Sequence, residues 1–386
     1  MAEATKTSKK KILTFVVAIS ALTMGNESCQ KAKGRILKMD VEVGAMQAKP
    51  VRLPTGEVID FPQVTNALFY RQVMNSEHFV IAGQNAGSSA STQRFSAVKR
   101  PSGPAINELT KNDQSVLANF GFIGKSNKEP GKFTFNAVSD DDAQMPACLY
   151  QLPLARLGGE VISFQTTFGA GINVGYGRDG SIIPVQVGGN VDFESAKLEL
   201  GLRWDDPLRR QVVAIADGVS HQAKVKFGVA FSPGVPLGLN FFFNTPLSDV
   251  IRKAMDRGLA LMVGSYTEKM GQKTWHEAWE SRVVFDPVIA DNDTHIAFKG
   301  GSFAGLKPGD TFVATNLHYQ WEGAACETPL RYKIPVSDPV AELEVIRTGD
   351  TITVARVTKY LSETRIRPGA QVKLLKLWEP PPEPKK

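Results

Sequence analysis

The sequence predicts an α+β protein: an α/β sandwich domain with two inserted amphipathic β-hairpins, followed by a small all-β, barrel-like domain. Three observations predict it. A strand–helix–strand order runs through residues 39–82, and two ribbons of period-two alternation fill 159–243. From residue 281, short strand signals are separated by Gly and Pro turns. With 386 residues, 42% of them hydrophobic, the chain is long enough for more than one packed core.

At the amino end, Lys9-Lys10-Lys11 precede an apolar run from Ile12 to Gly25 and then the polar Asn26-Glu27-Ser28. A basic stretch before a short apolar one has the dimensions of a secretory signal, so residues 1–28 are expected to direct export to the cell envelope. No other apolar run is long enough to cross a bilayer as a helix, a test that does not apply to strands. Cys29 follows directly and is a candidate for lipidation, although Asn26 and Glu27 stand where such a site favours an apolar and a small residue.

Residues 29–280 are expected to form the first domain. Met39, Val41 and Val43 alternate as a strand, Leu53-Pro54-Thr55-Gly56 is a turn, and Pro62 opens a helix to about Asn75 with Val64, Leu68 and Val73 on one stripe. Phe79-Val80-Ile81-Ala82 is the next strand. Residues 83–101 read as a loop, 104–118 as a weak helix, and Lys132 to Val138 as a strand. Asp140-Asp141-Asp142 lacks the ordered oxygen spacing of a calcium loop and reads as solvated.

The ribbons come next. Ile162, Phe164, Thr166, Phe168, Ala170, Ile172, Val174 and Tyr176 alternate with small or polar residues, which predicts one strand over 162–176. Val185 to Phe193 supplies the return, giving a hairpin at 162–193. A second hairpin is expected at 224–243, from Val225–Phe231 and Val235–Phe243 about Ser232-Pro233-Gly234. The alternation of Ala196, Leu198, Leu200, Leu202 and Trp204 is out of phase with Phe193, which predicts a bulge near Glu194-Ser195. Asp205-Asp206-Pro207 is a turn, and Gln211 to Ile215 the next strand. A helix over 246–263 follows, with Pro246 in its first turn and Leu247, Val250, Ile251, Ala254, Met255, Leu259, Met262 and Val263 on one broad stripe. Gly258 inside it marks a close approach to a neighbouring backbone.

Residues 281–376 are expected to form the small β domain and 377–386 a Pro-rich tail. Signs of chemistry are absent from the pattern. Gly169-Ala170-Gly171 leads into alternation, not into a helix, so it makes no phosphate loop. His78, His221, His276, His295 and His318 are scattered, and no Ser or Cys stands in a nucleophile elbow. Cys148 and Cys326 are either buried thiols or a bridge in an oxidising compartment; no cysteine pair has metal-ligand spacing. No cofactor, no metal and no enzymatic activity are expected. Folded basic clusters with interleaved aromatics are missing too, so nucleic acid is not an expected partner.

Two segments carry a resemblance. Gly188–Pro207, and Asn244-Thr245-Pro246-Leu247 leading into Ile251, Ala254, Gly258, Leu259 and Val263, resemble the curli-secretion-channel family of outer-membrane proteins over about 38–265. The resemblance implies a periplasmic α/β domain whose two hairpins join those of neighbouring copies in a shared barrel, with Cys29 at the place of the family's lipid anchor. Gly300–Phe312 is similar to the carboxy-terminal domain of periplasmic flagellar assembly proteins, a shorter match.

The expectation is therefore a non-enzymatic, ring-forming homo-oligomer of the cell envelope, an outer-membrane β-barrel pore or secretion-channel-like assembly. The alternative is a periplasmic ring or scaffold subunit of a flagellar motor or other envelope machine, without a pore. In the first case Phe168, Ile172, Val174, Val187, Val191, Val229, Leu237 and Leu239 face lipid or the exterior. Gly169, Asn173, Gln186, Asn190, Lys226 and Asn240 face inward.

Overall fold

A strand followed by a helix whose Pro62 sits in the first turn is the unit from which the architecture grows. In the computed structural model, which describes residues 35–52, 58–81, 109–125, 133–135, 153–168, 172–176, 191–207, 211–223, 228–229, 246–320, 331–334 and 339–379, that unit is strand β1 (Met39–Gln47), the short hairpin β2 (Val51–Arg52) and β3 (Val58–Ile59), helix α1 (Phe61–Asn75) and strand β4 (Phe79–Ile81). The Asp60 carboxylate accepts from the Gln63 amide at the helix start. Phe61, Val64, Leu68, Phe69 and Val73 form its buried stripe, in the strand–helix–strand order that the sequence pattern anticipates, and β4 returns parallel to β1.

The chain continues through α2 (Lys111–Asn119), β5 (Ile123–Lys125) and β6 (Phe133–Phe135). Four strands then complete the first sheet: β7 (Ala155–Phe168), β8 (Ile172–Tyr176), β9 (Val191–Asp206) and β10 (Gln211–Ala223), with a two-residue β11 (Gly228–Val229). Its main path runs β10-β9-β7-β1-β4, parallel at β4, β1 and β7 and antiparallel from β7 to β10. Helix α3 (Pro246–Lys269) buries Val250, Ile251, Ala254, Met255, Leu259 and Met262 beside Leu198, Leu200, Leu202 and Trp204. It runs six residues past the expected end because Tyr266 extends the stripe and stacks on Trp204 at 4.2 Å.

After the one-turn α4 (Trp275–Ala278) comes the second sheet. Its members are β12 (Glu280–Arg282), β13 (Val288–Ala290), β14 (Asp293–Lys299) and β15 (Thr311–Thr315), then, beyond the separate pair β16 (His318–Gln320) and β17 (Arg331–Ile334), β18 (Pro339–Thr348), β19 (Ile352–Tyr360) and β20 (Gln371–Lys376). The order is β12-β20-β15-β18-β19-β14-β13, all antiparallel. The expected barrel-like form is corrected here: the sheet is open. Closure would require β12 to pair along the free edge of β14, but β13 already occupies that edge at Asp293–His295. Between β12 and β13 the chain meets β14 at the isolated Val283–Phe298 bridge and through the Val284 amide, which donates to the Ala297 carbonyl, and forms no ladder there.

Residues Leu37–Lys386 form one compact unit; of the other, Met1–Ile36, only Arg35 and Ile36 are described. Within the larger unit, four contacts fasten the two sheets. The Trp275 and Trp279 indoles donate to the carbonyls of Leu37 and Lys38 at 2.7 and 3.0 Å. The Lys38 amide donates to Ala304. Lys299, 4% exposed, pairs with Asp40 at 2.7 Å. Burial pushes the Lys299 ammonium below the usual lysine range; Asp40 opposes the fall and Arg282 adds to it. Asp40→Asn, which leaves that ammonium buried without its counter-charge, is expected to cost about 3 kcal/mol in urea unfolding. Replacing both partners by apolar residues of similar volume is expected to cost much less.

Candidate functional site

The ribbons are positioned by a close helix–sheet contact. On β10, Ala214, Ala216, Gly218 and Ser220 face α3, and all four are small. A Cβ at Gly218 would lie 2.2 Å from the Ala254 carbonyl oxygen, and one at Gly258 would lie 2.7 Å from Leu202 Cδ1 and 3.4 Å from Gly218 Cα. The backbone approach anticipated at Gly258 is thus a contact between two glycines on facing elements.

From this base the strands run outward. Strand β9 has 16 residues, a length of roughly 50 Å at ~3.3 Å per residue. Arg257 of α3 donates to the Val219 carbonyl. Counting back from 257 to Pro246 at ~1.5 Å per residue, the helix covers about five further strand residues, close to the end of β10. The rungs Asp192–Gly228 and Val191–Val229 lie beyond that point. There the strand order is β8-β7-β9-β11.

The structure splits the single strand expected over 162–176. Phe168 lies opposite Ile172 and Phe164 opposite Tyr176, so the chain reverses between Phe168 and Ile172, and β9 returns along the other side of β7. A second departure is a register shift between Val161 and Ser163, which places Ile162 over Gly201 and breaks the expected face shared by Ile162 and Phe164. Phe164 instead packs on Phe61 of α1, with ring centroids 4.7 Å apart. The bulge expected near Glu194-Ser195 is present: Thr167 pairs with Ser195 and Phe168 with Phe193, leaving Glu194 unmatched.

Of the residues singled out from sequence, Phe168, Ile172, Asn173, Val174, Val191 and Val229 lie on these strands. Asn173 is opposite Thr167, Val174 opposite Thr166, and Val191 opposite Val229, which brings the two predicted hairpins side by side. Val187, Leu237, Leu239, Gly169, Gln186, Asn190, Lys226, Asn240, Cys29, Cys148 and Cys326 lie outside the described residues.

Two residues that the sequence does not mark treat the sheet edge. Strand β10 ends the main path, and its outward carbonyls at Val212 and Val219 accept from Lys269 Nζ at 3.3 Å and Arg257 Nη1 at 2.9 Å. Cations laid over an edge strand block another strand from pairing there. In sequence Arg257 looks like an ordinary solvated helix charge, and Lys269 falls beyond the expected end of the helix. At the outer end, among the described residues, β11 has only β9 and β8 only β7 as ladder partners, while β2 lies beside β8 without pairing to it.

The chain matches no protein-family profile and no curated protein sequence. Among the described residues no three of His, Cys, Asp and Glu cluster as a metal site would need, and no helix is long and apolar enough to cross a membrane. The base of the ribbons carries paired surface charge, Arg156 with Glu42 and Arg203 with Asp205, each at 2.9 Å. What this arrangement offers chemically is backbone hydrogen-bonding capacity at two sheet edges.

Proposed function

We propose that the protein is a non-enzymatic subunit of a ring in the cell envelope, and that the β8-β7-β9-β11 ribbons of each copy join those of its neighbours in a closed outer-membrane β-belt. One observation carries this reading. The sheet is sealed by Arg257 and Lys269 where helices cover it, and beyond the helix layer it continues as four strands with single-sided partners at both margins. Strand edges in lipid leave amide and carbonyl groups without water or partners, and closing the sheet through neighbouring copies satisfies them. The resemblance to the curli-secretion-channel family supports the same reading, and with it a pore.

The test is fractionation and imaging of the full chain. Washed outer membranes are expected to retain it in high salt, and detergent extracts to contain rings with a membrane-thick belt. Complete release by high salt, as a discrete soluble oligomer, would replace the pore with the periplasmic scaffold reading. A salt-released monomer would remove both.

A further inference from the structure

We infer that the junction between the two sheets holds a small inorganic anion of the halide class, bound by Arg282. This inference is independent of the ring proposal. Strand β12 places Arg282 in the junction, where it is only 8% exposed. Its Nη1 is fully buried and, among the described residues, has no hydrogen-bond partner. Lys299 stands near enough for the two positive charges to interact, and the ion pair at this place joins Lys299 to Asp40. The Asp40 carboxylate beside these two cations is engaged by the ammonium at 2.7 Å.

An arginine remains protonated under all ordinary conditions, so it cannot relieve its burial by losing a proton. A guanidinium edge without an acceptor in a protein interior is a costly arrangement. A monovalent anion at Nη1 satisfies the donor and gives the guanidinium a counter-charge at once. The walls favour a small ion over a bulky one. Arg282 Nη1 is itself completely enclosed, and the neighbouring backbone is committed to the Val283–Phe298 bridge. Cradled this way, the ion would act as part of the joint between the sheets.

The experiment compares thermal unfolding of the full chain in sodium chloride and in sodium gluconate at equal ionic strength. Binding to the folded state alone raises the midpoint with ligand concentration. The wild type is expected to show a rise of several degrees in chloride that continues with its concentration and is missing in gluconate. Arg282→Met is expected to lose that dependence and, in gluconate, to melt no lower than the wild type, because the unmatched charge is gone. Superimposable wild-type curves in the two salts would overturn the inference, as would a chloride response that survives in Arg282→Met. Should that variant fail to fold, crystals of the wild type grown in sodium bromide decide: an anomalous peak within hydrogen-bond reach of Arg282 Nη1 supports the site, and none there overturns it.

Discussion

Gly218→Val is expected to prevent α3 from seating on the first sheet, with a loss on the order of 5 kcal/mol or no soluble folded protein at all. The reason is where the new atoms go. A Cβ at this position falls 2.2 Å from the Ala254 carbonyl oxygen and 3.1 Å from the Gly258 amide nitrogen. Both are backbone atoms of a helix that cannot swing aside as a long side chain would. To admit the valine, α3 must lift, which uncovers Leu198, Leu202 and Trp204, each at most 1% exposed. Gly264→Ala on the same helix is the matched control. Apart from the helix's own backbone, no atom lies within 4 Å of a Cβ there, so that change is expected to be neutral or to stabilise by up to ~1 kcal/mol. Chemical denaturation of the two variants beside the wild type reads the difference.

Asp113→Ala is expected to cost about 4 kcal/mol and to loosen α2 from the second sheet. The fully buried carboxylate of Asp113 accepts through Oδ1 from the amides of Thr351 and Ile352, at 3.0 and 3.2 Å. Through Oδ2 it accepts from the hydroxyls of Thr351 and Thr110, at 2.8 and 2.9 Å. Removing it leaves two amides without acceptors, each at about 1–3 kcal/mol. Asp113→Asn keeps one oxygen and is expected to lose less. Hydrogen exchange localises the effect: the Thr351 and Ile352 amides should lose protection first, along with the cluster of Val116, Leu117, Phe122, Val284 and Phe285 that α2 helps to close.

These positions also show what a sequence displays and what it hides. The β1–α1–β4 unit was readable because strand period, Pro62 and the Val64–Leu68–Val73 stripe all agree locally. The Glu194 bulge was readable because it shifts the phase of the alternation. The reversal between Phe168 and Ile172 was not. Three residues separate these two, so odd and even positions keep their roles across the turn and the pattern runs on unbroken. Strand β10 was expected to end at Ile215 but reaches Ala223, because its buried face from Ala214 to Ser220 is small and carries no apolar alternation. Asp113 bonding to Thr351, and Lys299 to Asp40, join residues more than two hundred positions apart, with no local trace. On the ribbons themselves, sequence marked Phe168, Ile172, Val174, Val191 and Val229, which lie on described strands, and missed the cations that seal the base.

The most direct measurement is disulfide cross-linking between β8 and β11 in membranes from cells making the full chain without its native cysteines. Single cysteines at Ile172 to Tyr176 are paired in turn with a cysteine at Gly228 or Val229. Within one copy these strands stand three ladder spacings apart, ~14 Å, too far for a disulfide. If neighbouring copies meet at these edges, at least one pairing gives a ladder of cross-linked multimers ending in a closed species. Monomer alone at every pairing would contradict the shared belt.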